Sequence, residues 1–308
     1  MFAYIIRRLL GILTTLLLLS LFTFALSRTV PGGPWMVGAE IPQSTEQVAA
    51  FKSQYGLDQP VWRQYLVWLK NALTLDFGVP FTMPEKTVTQ VIWDTLPYSA
   101  LLGGLSALLA LVIGISLGML AAASPHSRLD NGVTLFAVLI GTIPSFVMGF
   151  VLVYFFSARL RWFPAGGWGG PMNLVLPVIA FGLPASGGVA RWTRQCVMEA
   201  IASDYVRTAQ SKGLTNRIIM LRHVLRNALI PMVTSFLPLF PAMMTGSIFI
   251  EVVFGLPGLG KYFVLSSMNR DYPMVLGITM FWALLISVTY LVTDILYGVI
   301  DPRVRLGQ

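Results

Sequence analysis

Residues 191–231 read RWTRQCVMEAIASDYVRTAQSKGLTNRIIMLRHVLRNALIP, a basic island between two long apolar runs that holds seven of the chain's 21 Lys and Arg residues. Within it, Ser203 and Asp204 suit the start of a short helix running through Lys212, and Gly213 supplies a left-handed stop. Thr215 suits the cap of a second helix reaching Leu229, along which Ile218, Leu221, Leu225 and Ala228 recur at helical spacing. The pattern predicts a helix-turn-helix lying beside a membrane. Ala209 and Gly213, four residues apart, are expected to share a face on which the backbone can be approached closely, so a partner can dock against the turn.

The chain on either side is apolar. Of 308 residues, 56% are hydrophobic and 11% charged, and the mean hydropathy is +0.73, which excludes a soluble domain and leaves room for several membrane spans. Apolar runs at about 9–27, 98–123, 132–157, 174–190, 231–253 and 274–297 are each close to the roughly 20 residues that a helical span needs. With the N-terminus inside, the inner segments carry twelve Lys and Arg residues and the outer ones nine, five of those nine in the long segment 28–97. Long loops count little in this balance, so the asymmetry places both termini and residues 191–230 in the cytoplasm. In a soluble protein a net charge of +8 would suggest nucleic acid, but a basic loop flanking spans is the ordinary sign of a cytoplasmic face, and no nucleic-acid partner is expected. The run 9–27 after Arg7 and Arg8 also fits a signal peptide, with Ala25, Leu26 and Ser27 as a cleavage site, but it is longer than the usual signal core.

From Arg28 to Pro97 the composition turns polar, with PGGP at 31–34, Pro42, Gly56, Pro60, Gly78, Pro80 and Pro84. This is read as a small helical extracytoplasmic insert. Ser44 and Gln47 fit a capping box for a helix ending near Gly56, and Trp62, Tyr65, Leu66 and Leu69 give the next helix an apolar face. Those aromatics are expected to pack on the membrane face or on a small core of their own.

Little in the chain promises chemistry. Cys196 is a lone cysteine, and with only His126 and His223 there is no ligand cluster, so neither a metal nor another cofactor is expected. Gly255 to Tyr262, GLPGLGKY, matches the spacing of a phosphate-binding loop. It nevertheless has Tyr262 where a Ser or Thr hydroxyl should hold magnesium, and Pro257 where a backbone donor should be. No nucleophile with a base and no catalytic pair of carboxylates stands out, so the chain is not read as an enzyme. Glu251 and Asp294 fall within apolar runs, where a charge is a functional candidate. Both lie near span ends, which favours a structural pair or water contact over a place on a pathway. Pro144, Pro177, Pro184, Pro238 and Pro241 are expected to break helix ladders, and Gly114 with Gly118 forms a small-residue face.

Aligned on Gly213, the opening stretch resembles the cytoplasmic coupling loop of ABC-importer permeases, whose motif is E-A-A, three residues, Gly, and a stretch ending in Leu-Pro or Ile-Pro. Arg207, Thr208 and Ala209 stand where that triplet does, without its Glu, and Ile230 and Pro231 close the motif. DYVRTAQSKGL, RHVLRNALIP, PSFV at 144–147, FGLPGLG at 254–260, MNRDYPMVL at 268–276 and VIDPRVR at 299–305 are similar to the B-type permease subunit of oligopeptide and dipeptide importers. The resemblance implies an all-α polytopic protein of the type I importer permease fold, with six transmembrane helices, in the inner membrane of a prokaryote. Residues 1–97 would hold the first span and the insert, and residues 98–308 a five-helix core containing the loop 191–231. It further implies that Arg207, Thr208, Ala209, Lys212, Gly213 and Leu214 receive force from separate ATPases. The implied partners are a second related permease forming a heterodimer, two ATP-binding subunits, an extracytoplasmic solute-binding protein and membrane lipid.

Oligopeptides are the cargo the resemblance favours, and nickel chelates or glutathione share the same permease pattern. A secondary transporter or channel would need central ionisable residues and usually an internal repeat, neither of which is evident. An intramembrane enzyme lacks its constellation. The charge asymmetry generates a direct test of topology. In a Cys196→Ser background, a cysteine placed at Lys52 should be labelled by an impermeant thiol reagent from outside, and one at Thr215 spared; the opposite pattern would overturn the topology.

Overall fold

A computed structural model of the chain describes residues 2–29, 33, 44–215 and 218–300. The turns expected at 31–34 and Pro42, the start of the helix expected after Thr215, and the C-terminal motif beyond residue 300 lie outside these, Gly33 excepted. The described residues are helical, without a strand among them. The helices are α1 (Phe2–Thr29), α2 (Thr45–Gln54), α3 (Val61–Ala72), α4 (Val88–Ala123), α5 (Arg128–Thr142), α6 (Ser145–Leu152), α7 (Pro171–Ile201) and α8 (Asp204–Ser211). After them come α9 (Leu225–Phe236), α10 (Leu239–Met244), α11 (Ile248–Val253), α12 (Leu259–Met268) and α13 (Tyr272–Ile300). Wider π-type turns occupy Val153–Arg159, continuing α6, and Ile219–Val224, leading into α9.

Helices α1, α4, α7 and α13 are each long and apolar enough to cross a bilayer. The expected span at 132–157 is instead a pair of helices, bent by 94° between Thr142 and Ser145, where Pro144 precedes α6 and cannot donate to the turn before it. The expected span at 231–253 is broken as well: Pro238 separates α9 from α10, and Gly246, at φ +92°, separates α10 from α11. By contrast, Pro177 and Pro184, expected to break a helix, sit inside the uninterrupted 31 residues of α7.

The chain divides into two compact units, residues 1–97 with 258–308 and residues 98–257. In the first, α1 packs on α13 and on α3, and α12 packs on α13. Its core gathers Phe77, Val88, Val91, Ile92, Leu259, Met274 and Ile278. The capping box forms as expected: Gln47 N donates to Ser44 Oγ at 3.3 Å and Ser44 N to Gln47 Oε1 at 2.9 Å. The apolar face expected on α3 is divided. Tyr65 and Leu69 are half-buried whereas Trp62 and Leu66 are exposed, because the inward positions are taken by Tyr65 and Trp68, which stack on each other and meet the ring of Phe24 of α1 edge-on and at a tilt. Asp271, fully buried, ties the insert to the start of α13, its carboxylate accepting from Thr82 N at 3.0 Å and Thr82 Oγ1 at 2.8 Å.

In the second unit α7 is the hub, with α5, α6, α9 and α11 packed against it. Small residues set the spacing. A Cβ on Gly118 would meet the carbonyl of Ala190 and the side chain of Thr193, and one on Gly114 would meet Val189 and the carbonyl of Ser186. On the other side Gly187 lies against the carbonyl of Ala137 and the backbone of Gly141. In lipid, where helices gain little by leaving water, such close backbone approach is what holds them. Gly118→Leu should therefore overpack the α4–α7 contact and destabilise by about 1–3 kcal/mol. The check is the thermal midpoint in detergent, which should fall for Gly118→Leu and hold for Gly132→Leu, since Gly132 has open space around it.

Candidate docking site around Gly213

Helix α8 begins after Ser203, which has the extended backbone of a cap, yet its hydroxyl donates to Ala200 O behind it rather than accepting from the new helix. Thr208 Oγ1 and Ser211 Oγ donate back to Asp204 O and Arg207 O, both at 3.0 Å. The end of the helix is more sharply defined. Gly213 has φ +74°, its N–H donates to Gln210 O at 2.9 Å, and Leu214 N donates to Ala209 O at 3.3 Å. This pair of bonds is the Schellman closure, which needs a residue in the left-handed region at the position Gly213 holds. The accompanying apolar contact is present too: Leu214 packs on the cluster that contains Ala209 and Val206.

The turn has an inner and an outer face. Val206 and Ala209 are buried against Ile219, Val224, Ala228 and Met232, with Cys196 and Val197 of α7 in the same cluster. Arg207, Thr208, Lys212 and Gly213 are exposed, and no atom would lie within 4 Å of a Cβ added at Gly213. Ala209 therefore does not share an accessible face with Gly213; it is the anchor beneath the turn. Arg207 and Asp204 approach at 3.7 Å with both side chains largely in water, a contact that contributes little. What the site offers outward is a hydrogen-bonded turn with two cations and no side chain at its apex.

The second helix differs from the reading by period. Ile218 is exposed and Leu225 half-buried, while Ile219, Val224, Ala228 and Met232 face inward. The step of five from Ile219 to Val224 is the π-type turn, which inserts one residue and shifts the phase. The helix also runs on to Phe236, past Leu229, with Pro231 inside it.

Of the two acids that fall within apolar runs, Glu251 lies in the first turn of α11, fully buried, and Ser99 Oγ donates to its Oε1 at 2.7 Å. Asp294, on α13, forms an ion pair with Arg8 of α1 at 2.8 Å. The structure places them in different units. The phosphate-loop look-alike is the turn from α11 to α12, with Gly255 at φ +64° and no strand before it.

Besides Asp271, a second buried charge escaped the sequence reading. Asp130, in the first turn of α5, is buried and receives Arg194 of α7 in a two-pronged contact, Nε to Oδ1 at 2.6 Å and Nη2 to Oδ2 at 2.7 Å. The same carboxylate accepts His126 N at 2.9 Å, and Ser127 caps the helix by accepting Asp130 N at 3.1 Å. The local signal was the Ser127-x-x-Asp130 cap; the partner, 64 residues away, left no mark on the pattern. The pair fixes the loop 124–127 to α7, the helix that leads into α8.

The family described as "binding-protein-dependent transport system inner membrane component" matches residues 114–306, and its N-terminal companion matches residues 1–102. The oligopeptide transport system permease protein OppB of Haemophilus influenzae is 39% identical over 307 residues, covering 99% of this chain and all of that one. The dipeptide transport system permease protein DppB of Bacillus subtilis is 35% identical over 305 residues, covering 99% and 98%. Among solved structures, an inward-facing form of the MetNI methionine ABC transporter aligns with a TM-score of 0.58 at 15% identity, covering 69% of this chain and 97% of that one. An amino acid ABC transporter aligns with a TM-score of 0.52 at 17% identity, over 68% and 94%.

Replacing Asp130 by Asn should strand the Arg194 guanidinium and destabilise by about 1.5–3 kcal/mol. The double variant Asp130→Asn/Arg194→Gln should recover part of that loss in a denaturation cycle. Strict additivity of the two single variants would show that the contact contributes nothing.

Proposed function

The chain belongs to the inner-membrane components of binding-protein-dependent transport systems, and on that premise we propose that it forms half of the translocation pathway for oligopeptides or dipeptides. The observation that carries this reading is likeness along the whole chain, 39% and 35% identity over almost every residue, to permeases named for those two cargoes. Membership of the family implies a partner permease and ATP-binding subunits. The finer assembly proposed is a heterodimer of related permeases, two ATPases and an extracytoplasmic solute-binding protein that selects the cargo. Both termini and the 191–231 loop face the cytoplasm, and the insert within residues 1–97 faces outward, ahead of the permease core of residues 98–308.

Coupling is assigned to the turn at Gly213. Exposed Arg207, Thr208, Lys212 and Gly213 form the contact, and Ala209 and Leu214 transmit its displacement because they are packed into the cluster shared with α7 and α9. A stiff turn seated on a core moves as one piece with the helices under it, which is what force transfer between subunits requires. Asp294 with Arg8 and Glu251 with Ser99 are read as structural contacts within their own units, since each carboxylate is already engaged.

The test is Gly213→Val in the whole complex. A left-handed residue with a side chain costs about 1–2 kcal/mol, and the isopropyl group would project into the open space where the ATPase is proposed to sit. The expected outcome is a membrane-inserted permease that loses its ATPase subunits or hydrolyses ATP without moving a tripeptide into proteoliposomes. Normal uptake with normal ATPase association would sink the coupling role.

A further inference from the structure

Helix α3 runs back along α1 in the opposite direction. Tyr65 Oη and Ser20 Oγ lie 2.9 Å apart, and the rings of Tyr65 and Trp68 meet Phe24. Further along, Leu69, Leu73 and Leu75 close on Leu16 of α1 and on Met280 and Leu284 of α13 around an apolar cavity of about 220 Å3. Those partners are depth markers. Leu16 stands midway along the apolar span Tyr4–Thr29, and Leu284 midway along Tyr272–Ile295, so two spans independently put the far end of α3 near the middle of the bilayer.

The chain then turns and climbs out. Leu75, at φ +59°, makes the reversal. Phe77 lies against Gly277, and Thr82 reaches Asp271 at the head of α13. At membrane depth a turn must satisfy its own backbone, and this one does. The N–H groups of Leu73, Thr74, Leu75 and Asp76 donate to the carbonyls of Leu69, Asn71, Ala72 and Asn71 at 2.9–3.1 Å, and Leu75 O accepts from Thr89 Oγ1 at 2.6 Å.

Helix α3 has two edges of opposite character. Trp62, Leu66, Leu69 and Leu73 recur at i, i+4, i+7 and i+11 along one, and of these Trp62, Leu66 and Leu73 are exposed, Leu73 by 73%. Arg63, Lys70 and Asn71 hold the other edge, where Arg63 and Asn71 line a separate cavity of about 360 Å3. Asp76, hydrogen-bonded to Asn71 through its N–H, accepts from Gly78 N at 3.0 Å with its carboxylate. A polar cavity on one side is what lets irregular backbone persist at such depth.

We propose that α3 and the turn after it form a re-entrant loop, whose edge of Trp62, Leu66 and Leu73 lies against the acyl chains of the outer leaflet. The leaflet rests on the topology proposed above; the depth does not, since it is read from the spans alone. Trp62 sits at the headgroup level, where an amphipathic ring belongs, and Leu73, about 16 Å further along the helix, reaches the hydrocarbon.

The experiment uses the whole permease complex in lipid nanodiscs, where both membrane faces are open and the depth reading is independent of which one is cytoplasmic. In a Cys196→Ser background, with the other subunits free of cysteine, Trp62→Cys, Leu66→Cys and Leu73→Cys are each spin-labelled. Collision of the label with oxygen, which concentrates in hydrocarbon, is compared with collision with a nickel chelate, which stays in water. Doxyl-labelled phospholipids in the same discs set the depth scale. Oxygen should dominate at Leu73 as it does at mid-chain, less so at Leu66, and least at Trp62. All three positions are exposed, so the label displaces no core, and the step from Trp62 to Leu66 carries the test should Leu73→Cys fail to assemble. Equal headgroup-level depth at the three positions would make α3 a helix lying on the surface, and nickel-dominated collision at Leu73 would place it in water. Shielding from both reagents would mean that protein covers it. Each of these three outcomes overturns the proposal.

Discussion

Apolar helices in hydrocarbon are not driven together by water, so what joins them is contact, and contact needs axes that come close. Helix α7 obtains that closeness on two sides, through Gly114 and Gly118 of α4 and through its own Gly187 against α5. Because it is gripped on both, α7 tolerates Pro177 and Pro184 without breaking. A freed carbonyl in a membrane helix survives where neighbouring structure can cover it. The same helix then leaves the apolar zone carrying Arg194, Cys196 and Val197, and so carries the seat of the basic turn.

Charge completes what contact begins. Asp130 with Arg194, Asp271 with Thr82, and Glu251 with Ser99 each tie a loop or a helix start to a neighbouring element within its own unit. A buried carboxylate is expensive unless its lone pairs are used, and each of these is used. They are selective fasteners: each is satisfied in one arrangement of its surroundings and stranded in others.

The features legible in the sequence were those whose causes lie within a few residues. The capping box at Ser44 and the glycine stop at Gly213 were read correctly because a cap is a contact between residues three to five apart. The six apolar runs were visible for a similar reason, since span length is a property of composition. How two of them bend was not: Pro144 and Pro238 interrupt helices while Pro177 and Pro184 do not, and the difference lies in packing, which a string does not show. Within the candidate site, exposure of Arg207, Thr208, Lys212 and Gly213 followed from polarity. The burial of Ala209 and the contact from Asp130 to Arg194 needed the third dimension. So did the inward phase of Ile219 and Val224, because one wide turn defeats any fixed period.

That wide turn has a consequence for the length of the chain. A π-type turn is an α-helix holding one residue too many, and the surplus bulges locally without rotating the helix on either side. Residues 219–224 are therefore a slack point behind the exposed turn, where one residue could be lost and α9 would still present its present face. Anywhere else in that helix a deletion would rotate all that follows by about 100° and swing Ala228 and Met232 out of their core.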